Sequence, residues 1–159
     1  ALPIYKERFL GGRGDGNYGY YLLLDQTIYK ASHGGEITPF AALLFAPKDR
    51  NEFPFFLSSG VVFQGLIESR PHDFFSLGCA YGRYSRDLSR RQEINREIGY
   101  RGKYGDQPQS FETVIEASYM FQINSWWELQ PDIQYVINPK GLGTIKDALV
   151  LGFQSKLVF

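Results

Sequence analysis

Apolar and polar residues alternate along most of this chain, the two-residue period of a β-strand with one face in each environment. From 148 to the end, Leu149, Leu151, Phe153, Ser155, Leu157 and Phe159 share one face, almost wholly apolar, while Ala148, Val150, Gly152, Gln154, Lys156 and Val158 fall on the other. Before that, Trp127, Leu129, Pro131, Ile133, Tyr135 and Ile137 alternate with Glu128, Gln130, Asp132 and Gln134. Phe111, Thr113, Ile115, Ala117, Tyr119, Phe121 and Ile123 alternate with Glu112, Val114, Glu116, Ser118, Met120 and Gln122. Phe75, Leu77, Cys79 and Tyr81 oppose Ser76, Gly78, Ala80 and Gly82; Phe55, Leu57, Val61 and Phe63 oppose Ser58, Gly60 and Gln64. Stretches 17–31 and 36–46 also predict strands, with less regular faces. The pattern predicts about seven strands. Pro131 has no backbone donor, so its strand needs a bulge or a break there.

The connections alternate in length. Those at 32–35, 69–73 and 124–125 are short, whereas 47–54, 139–146 and above all 85–109 are longer and polar. Short turns at one end and long loops at the other are the arrangement of an outer-membrane barrel, with the loops outside and the turns periplasmic. Phe74 and Phe75, and Trp126 and Trp127, sit at strand ends, where an interfacial aromatic girdle belongs. No apolar run approaches the length of a membrane helix; the longest is near 40–46.

Composition narrows the choice. Of 159 residues, 16% are aromatic, which favours strands over a Leu/Ala-rich bundle. Lys plus Arg and Asp plus Glu both number 17, so no basic surplus supports a nucleic-acid partner. One cysteine and two histidines, His33 and His72, offer no zinc ligand set and no catalytic triad, and no cofactor motif stands up. Gly14 to Gly19 fits G-x-G-x-x-G, but a strand-like run follows where a dinucleotide site needs a helix. Arg13-Gly14-Asp15, a cell-adhesion tripeptide, is of a kind that arises by chance. The chain starts without Met, so either a leader has been removed or a longer protein precedes it. Soluble sandwiches and lipocalin-like barrels also alternate, and a barrel enzyme is a third reading. Against the soluble readings, the polar faces hold Glu, Gln, Asp and Gly but little Lys.

Trp126 to Pro139, Lys146 to Phe153 and the terminal Phe159 together resemble the end of a carbohydrate-selective porin of the OprB type. Asn17 to Tyr21, Asp25-Gln26 and Gly60 to Leu66 resemble earlier parts of that family. The resemblance implies an all-β fold, an antiparallel transmembrane barrel of ~16 strands around a water-filled lumen. Residues 1–159 would form the C-terminal part of that single barrel domain, with 85–109 as a long extracellular loop. The remaining strands would come from a missing N-terminal part or another chain. The resemblance also implies small sugars as permeants, the outer membrane of a Gram-negative bacterium as location, lipid and lipopolysaccharide as surroundings, and it allows a homotrimer.

A porin selects by pore width and by the polar groups lining it. If the aromatic faces meet lipid, the alternation turns Glu112, Glu116, Gln122, Glu128, Gln130, Asp132 and Gln134 into the lumen. Of the arginines in and beside the long loop, Arg83 and Arg86 lie nearest the strand end and are expected at the pore mouth; the others suit a solvated loop facing lipopolysaccharide phosphates.

Overall fold

A computed structural model describes residues 16–101 and 105–158. The Gly14–Gly19 motif in part, the Arg13-Gly14-Asp15 tripeptide and Phe159 lie outside these residues. One antiparallel sheet holds eight strands: β1 (Tyr20–Asp25), β2 (Tyr29–Lys30), β3 (Glu36–Phe45), β4 (Phe55–Gln64), β5 (Phe74–Arg83), β6 (Phe111–Asn124), β7 (Trp127–Ile137) and β8 (Ala148–Leu157). Strands neighbour in chain order, with β1 and β2 both on β3. The expected seven strands are recovered, the first in two pieces.

Pro39 explains the split. Asp25 pairs with Phe40 but Tyr29 with Ile37, so the β1–β2 side carries one residue more than β3. The Pro39 carbonyl accepts from Gln26 N at 3.3 Å, so the edge of Pro39 that lacks an N–H also faces β1–β2. Pro131 produces the expected break. Ladder pairing between β6 and β7 is continuous at Ser118–Asp132 and resumes at Phe121–Leu129, skipping the level of Pro131; a register shift follows between Gln122 and Asn124.

The polar face is the sheltered one. In β7, Pro131, Ile133 and Tyr135 are exposed while Gln130, Asp132 and Gln134 are half-buried. In β5, Phe75, Leu77 and Cys79 are exposed while Ser76, Gly78 and Ala80 are half-buried. The sheet therefore curves around its polar side. Among the described residues the one buried large apolar side chain is Leu88, in a loop helix. A soluble sandwich or ligand-binding barrel buries its apolar face. Here that face is outermost and uncovered among the described residues, and the lipocalin-like alternative does not fit.

The loop between β5 and β6 contains an element the alternation did not predict, α1 (Arg86–Glu97). Ser85 caps it, its hydroxyl accepting from Asp87 N at 3.2 Å. Gly99, at φ 66°, ends it: Gly99 N bonds Arg96 O and Tyr100 N bonds Asn95 O, a Schellman closure. The buried face is Leu88, Gln92 and Asn95. Gln92 Oε1 accepts from Gln109 N at 2.9 Å, and Asn95 Nδ2 donates to Gly105 O at 2.9 Å.

At the short-turn end, Asp73 fastens the β4–β5 connection to β6. Only 5% exposed, it accepts from Arg70 Nε, from Tyr119 Oη at 3.0 Å and from Gln122 N at 2.9 Å. Burial by itself would raise the Asp73 carboxyl; the bonds from Arg70, Gln122 and Tyr119, with the Arg70 charge, outweigh it and hold the group below its ordinary value. A depressed folded-state value means stability that is full above the unfolded carboxylate range, near pH 4, and lost as pH falls through the folded value. Asp73→Asn should cost roughly 1–3 kcal/mol near neutral pH. The deficit should shrink towards zero in acid, measured by urea unfolding in lipid vesicles at several pH values; a deficit that does not change with pH would remove the ionised carboxylate from the account. On the apolar face, Ile133→Arg should cost ~2–4 kcal/mol near the bilayer midplane. If Ile133→Arg and Ile115→Arg fold unchanged while Gln130→Leu does not fold, the faces are inverted.

Candidate functional site

The ladder register brings Glu112, Glu116, Gln122, Glu128, Gln130, Asp132 and Gln134 onto one face of β6 and β7. Glu116 pairs directly with Gln134, Ser118 with Asp132 and Gln122 with Glu128. Directly opposed side chains lie about 4.5–5.5 Å apart at Cβ, so Glu116, Ser118 and Gln122 with their partners on β7 form a polar patch, and the Val114–Val136 pair separates Glu112 from it. Strand alternation makes the patch, since most residues of this parity in both strands are polar, Val114, Met120 and Val136 excepted.

The patch divides into three levels by what its carboxylates already hold. At the long-loop end, the Glu112 carboxylate accepts from the backbone N–H of Lys140, tying down the β7–β8 loop. At the short-turn end, Glu128 accepts from its ladder partner Lys156 at 3.1 Å. Between them, Gln134 Nε2 donates to Asp132 Oδ1 at 3.1 Å, Gln130 Nε2 donates to Ser118 Oγ at 3.1 Å, and the Ser76 and Ser118 hydroxyls share a bond of 2.7 Å. Glu116 has no ion pair among the described residues. The Asp132 carboxylate lies across Gly152, where an added Cβ would meet Oδ2 at 2.5 Å. Of the carboxylates in this set, Glu128 alone is ion-paired, Glu112 is taken up by a loop backbone N–H, and Glu116 and Asp132 are engaged by neither among the described residues.

The two arginines part company. Arg83 pairs with Phe55 on one side and Phe111 on the other, in the parity of Tyr81 and Cys79. That places it at the long-loop rim of the sheet, in the parity of the apolar face. A strand turns every second residue to the same side, and Arg83 follows Tyr81 by two. Arg86 opens α1 and is exposed.

Three aromatic residues on the polar face were not singled out by the sequence pattern. Phe40 pairs with Gly60, and a Cβ on Gly60 would meet its ring at 2.7 Å. Phe56 pairs with Gly82. Phe53, from the β3–β4 loop, bends over the same glycine, whose Cβ would meet ring atoms at 3.2 and 3.3 Å. The Phe53 ring lies 4.2 Å from that of Tyr84. Burial raises the Tyr84 phenol above its ordinary value, and the nearby charges of Glu112 and Glu52 add to the rise. The signal lay in the glycines: Gly60, Gly78 and Gly82 recur in the polar parity of β4 and β5, where a ring can come down onto the backbone.

Comparison with known proteins adds identity to this geometry. Porin B of Pseudomonas aeruginosa is 28% identical over 150 residues, which are 89% of this chain and 33% of that protein. A high-pH structure of OprB from Pseudomonas putida superposes with a TM-score of 0.82 at 24% identity, covering 90% of this chain and 36% of that one. The chain spans about a third of the length of these two relatives. Residues 5–159 match the family model described as carbohydrate-selective porin, OprB family. With the match running nearly end to end over a sheet whose apolar face is outermost, this chain belongs to the OprB family of carbohydrate-selective porins.

Proposed function

We propose that this chain is part of the wall of an outer-membrane channel through which small sugars diffuse passively. The observation that carries the reading is the curvature: the carboxylates and amides of β6 and β7 occupy the sheltered face, and the large apolar residues occupy the open one. In hydrocarbon an uncovered apolar face is the stable arrangement, and a polar inner face holds water. Sugars carry many hydroxyls, and a wall of acceptors and amides can replace part of their hydration.

The pore-lining set is Glu112, Glu116, Gln122, Glu128, Gln130, Asp132 and Gln134, with Glu116 and Asp132 acting on the permeant by charge. Arg86 stands at the mouth on α1. Arg83 is left out of the pore; on its aromatic rim it meets lipid headgroups or lipopolysaccharide phosphates. Among the described residues, β1 and β8 each have neighbours on one side only. An unpaired edge in lipid leaves backbone groups unsatisfied, so further strands complete the barrel. Loops 46–54, 84–110 and 138–147 face outward from the cell, and turns 31–35, 65–73 and 125–126 face the periplasm.

Protease added to intact cells should cut between Ser85 and Gln109. Cuts confined to 65–73 and 125–126 would reverse the orientation. In the assembled barrel in a planar bilayer, Glu116→Gln with Asp132→Asn should lower the preference for cations over anions. The change should be roughly fivefold for each charge removed if ions pass about 4 Å from it, where a unit charge in water is worth about 1 kcal/mol. An unchanged reversal potential in a salt gradient would take both residues out of the ion path.

A further inference from the structure

We propose that Phe53 and Phe56, backed by Tyr84, form a stacking platform for one pyranose ring on the inner face at the long-loop end. The proposal deepens the channel reading and rests on it.

Phe53 is 42% and Phe56 38% exposed, although both stand on the sheltered face that carries the carboxylates and amides. A large apolar ring facing water is a cost unless it has an occupant or a structural need. A packing role does not account for the exposed parts of these rings, and several contacts hold Phe53 in place from behind. The backbone on either side of it is pinned, Ala46 N to Pro54 O at 2.9 Å and Ser85 N to Glu52 O at 2.8 Å. Gly82 beneath lets the ring approach the sheet, and Tyr84 meets it at an interplanar angle of 44°. Tyr84 is itself fixed, its N–H donating to Ser110 O at 2.8 Å and its ring lying against Gly141. Phe56 adjoins the same glycine from β4. The result is an aromatic surface that does not have to be ordered when a ligand arrives.

Its surroundings match one chemistry. A pyranose has a C–H face and a rim of hydroxyls. The C–H face carries slight positive charge and suits the negative face of an aromatic ring. The hydroxyls need acceptors, and Glu112 and Glu52 lie close enough to raise the Tyr84 phenol. Glu112 also pairs with Gly82, the residue under the platform. Its carboxylate has further lone pairs beyond the one used by Lys140 N. A linear polyol offers hydroxyls but no flat C–H face, so the platform separates rings from open chains.

The test is block of ion current through the assembled barrel by D-glucose and, separately, by sorbitol. Phe53→Leu keeps apolar volume and removes the aromatic face. It should raise the half-blocking glucose concentration roughly two- to tenfold, the range of an aromatic contact converted to affinity. Phe53→Tyr should stay within twofold of the parent, sorbitol block should be the same in all three, and open-channel current should not change. Phe56→Leu, whose residue sits within the β4 ladder, should shift glucose in the same direction and stands in if the Phe53→Leu loop does not hold. Equal shifts for glucose and sorbitol, equal effects of Leu and Tyr, or no shift at all in a conducting channel would overturn the platform and leave the channel reading standing. A parent barrel that carries no current would overturn the channel reading and the platform with it.

Discussion

A one-layer sheet with nothing of the protein on its apolar side can exist only where the solvent is itself apolar. Ile115, Ile133, Tyr135, Leu151 and Phe153 are all more than two-fifths exposed, and their ladder partners on the same face are exposed too, half-buried Ala117 excepted. In water such a surface would exceed what soluble chains tolerate and would drive association. In a bilayer it costs nothing, while every backbone donor must find a partner within the sheet. The uninterrupted antiparallel ladders from β3 to β5 answer that demand. Where proline removes a donor, the structure concedes locally: the chain bulges opposite Pro39 and the ladder lapses beside Pro131.

The inner face follows a different rule, because it is crowded instead of exposed. Ser58, Gly60, Ser76, Gly78, Ala80 and Gly82 keep the wall of β4 and β5 low. Into that low wall come Phe40 from β3 and Phe53 from a loop. On β6 and β7 the wall is built up by carboxylates and amides. The loops at the long end fold inward over this surface, since Phe53 rests on Gly82 and Lys140 N bonds Glu112. Side-chain size along each strand thus decides how far loops can enter, and loop entry narrows a pore.

Most of the sheet was legible in the sequence because parity is a local and exact property of strands. The faces of β6, β7 and β8 needed only counting. Counting also places Arg83 in the parity of Tyr81. The helix escaped for the opposite reason. Its buried stripe is Leu88, Gln92 and Asn95, so the 3.6-residue period is written mostly in amides and not in apolar residues. Ser85 and Gly99 were its readable limits. Phe53 and Phe40 could not be placed by pattern alone. One lies in a loop, and the other begins the apolar stretch in which both parities of β3 are apolar.

In the proposed channel, the two halves of the polar face would divide the work of selection between them. Charge acts over distance and favours one ion sign whether or not a solute touches the wall. A stacking surface acts only on contact and ignores charge. Glu116 and Asp132 lie on β6 and β7, and the rings of Phe40 and Phe56 on β3 and β4, so the two mechanisms occupy different arcs of the same inner surface. Charge on one arc alone would make a cation channel, and rings alone would hold any apolar solute. For the proposed channel, a neutral sugar is a solute that both arcs would accept: its hydroxyls would meet the carboxylates and its C–H face the rings. Weak contacts on both sides suit passage better than one strong site, because a permeant must leave as readily as it enters.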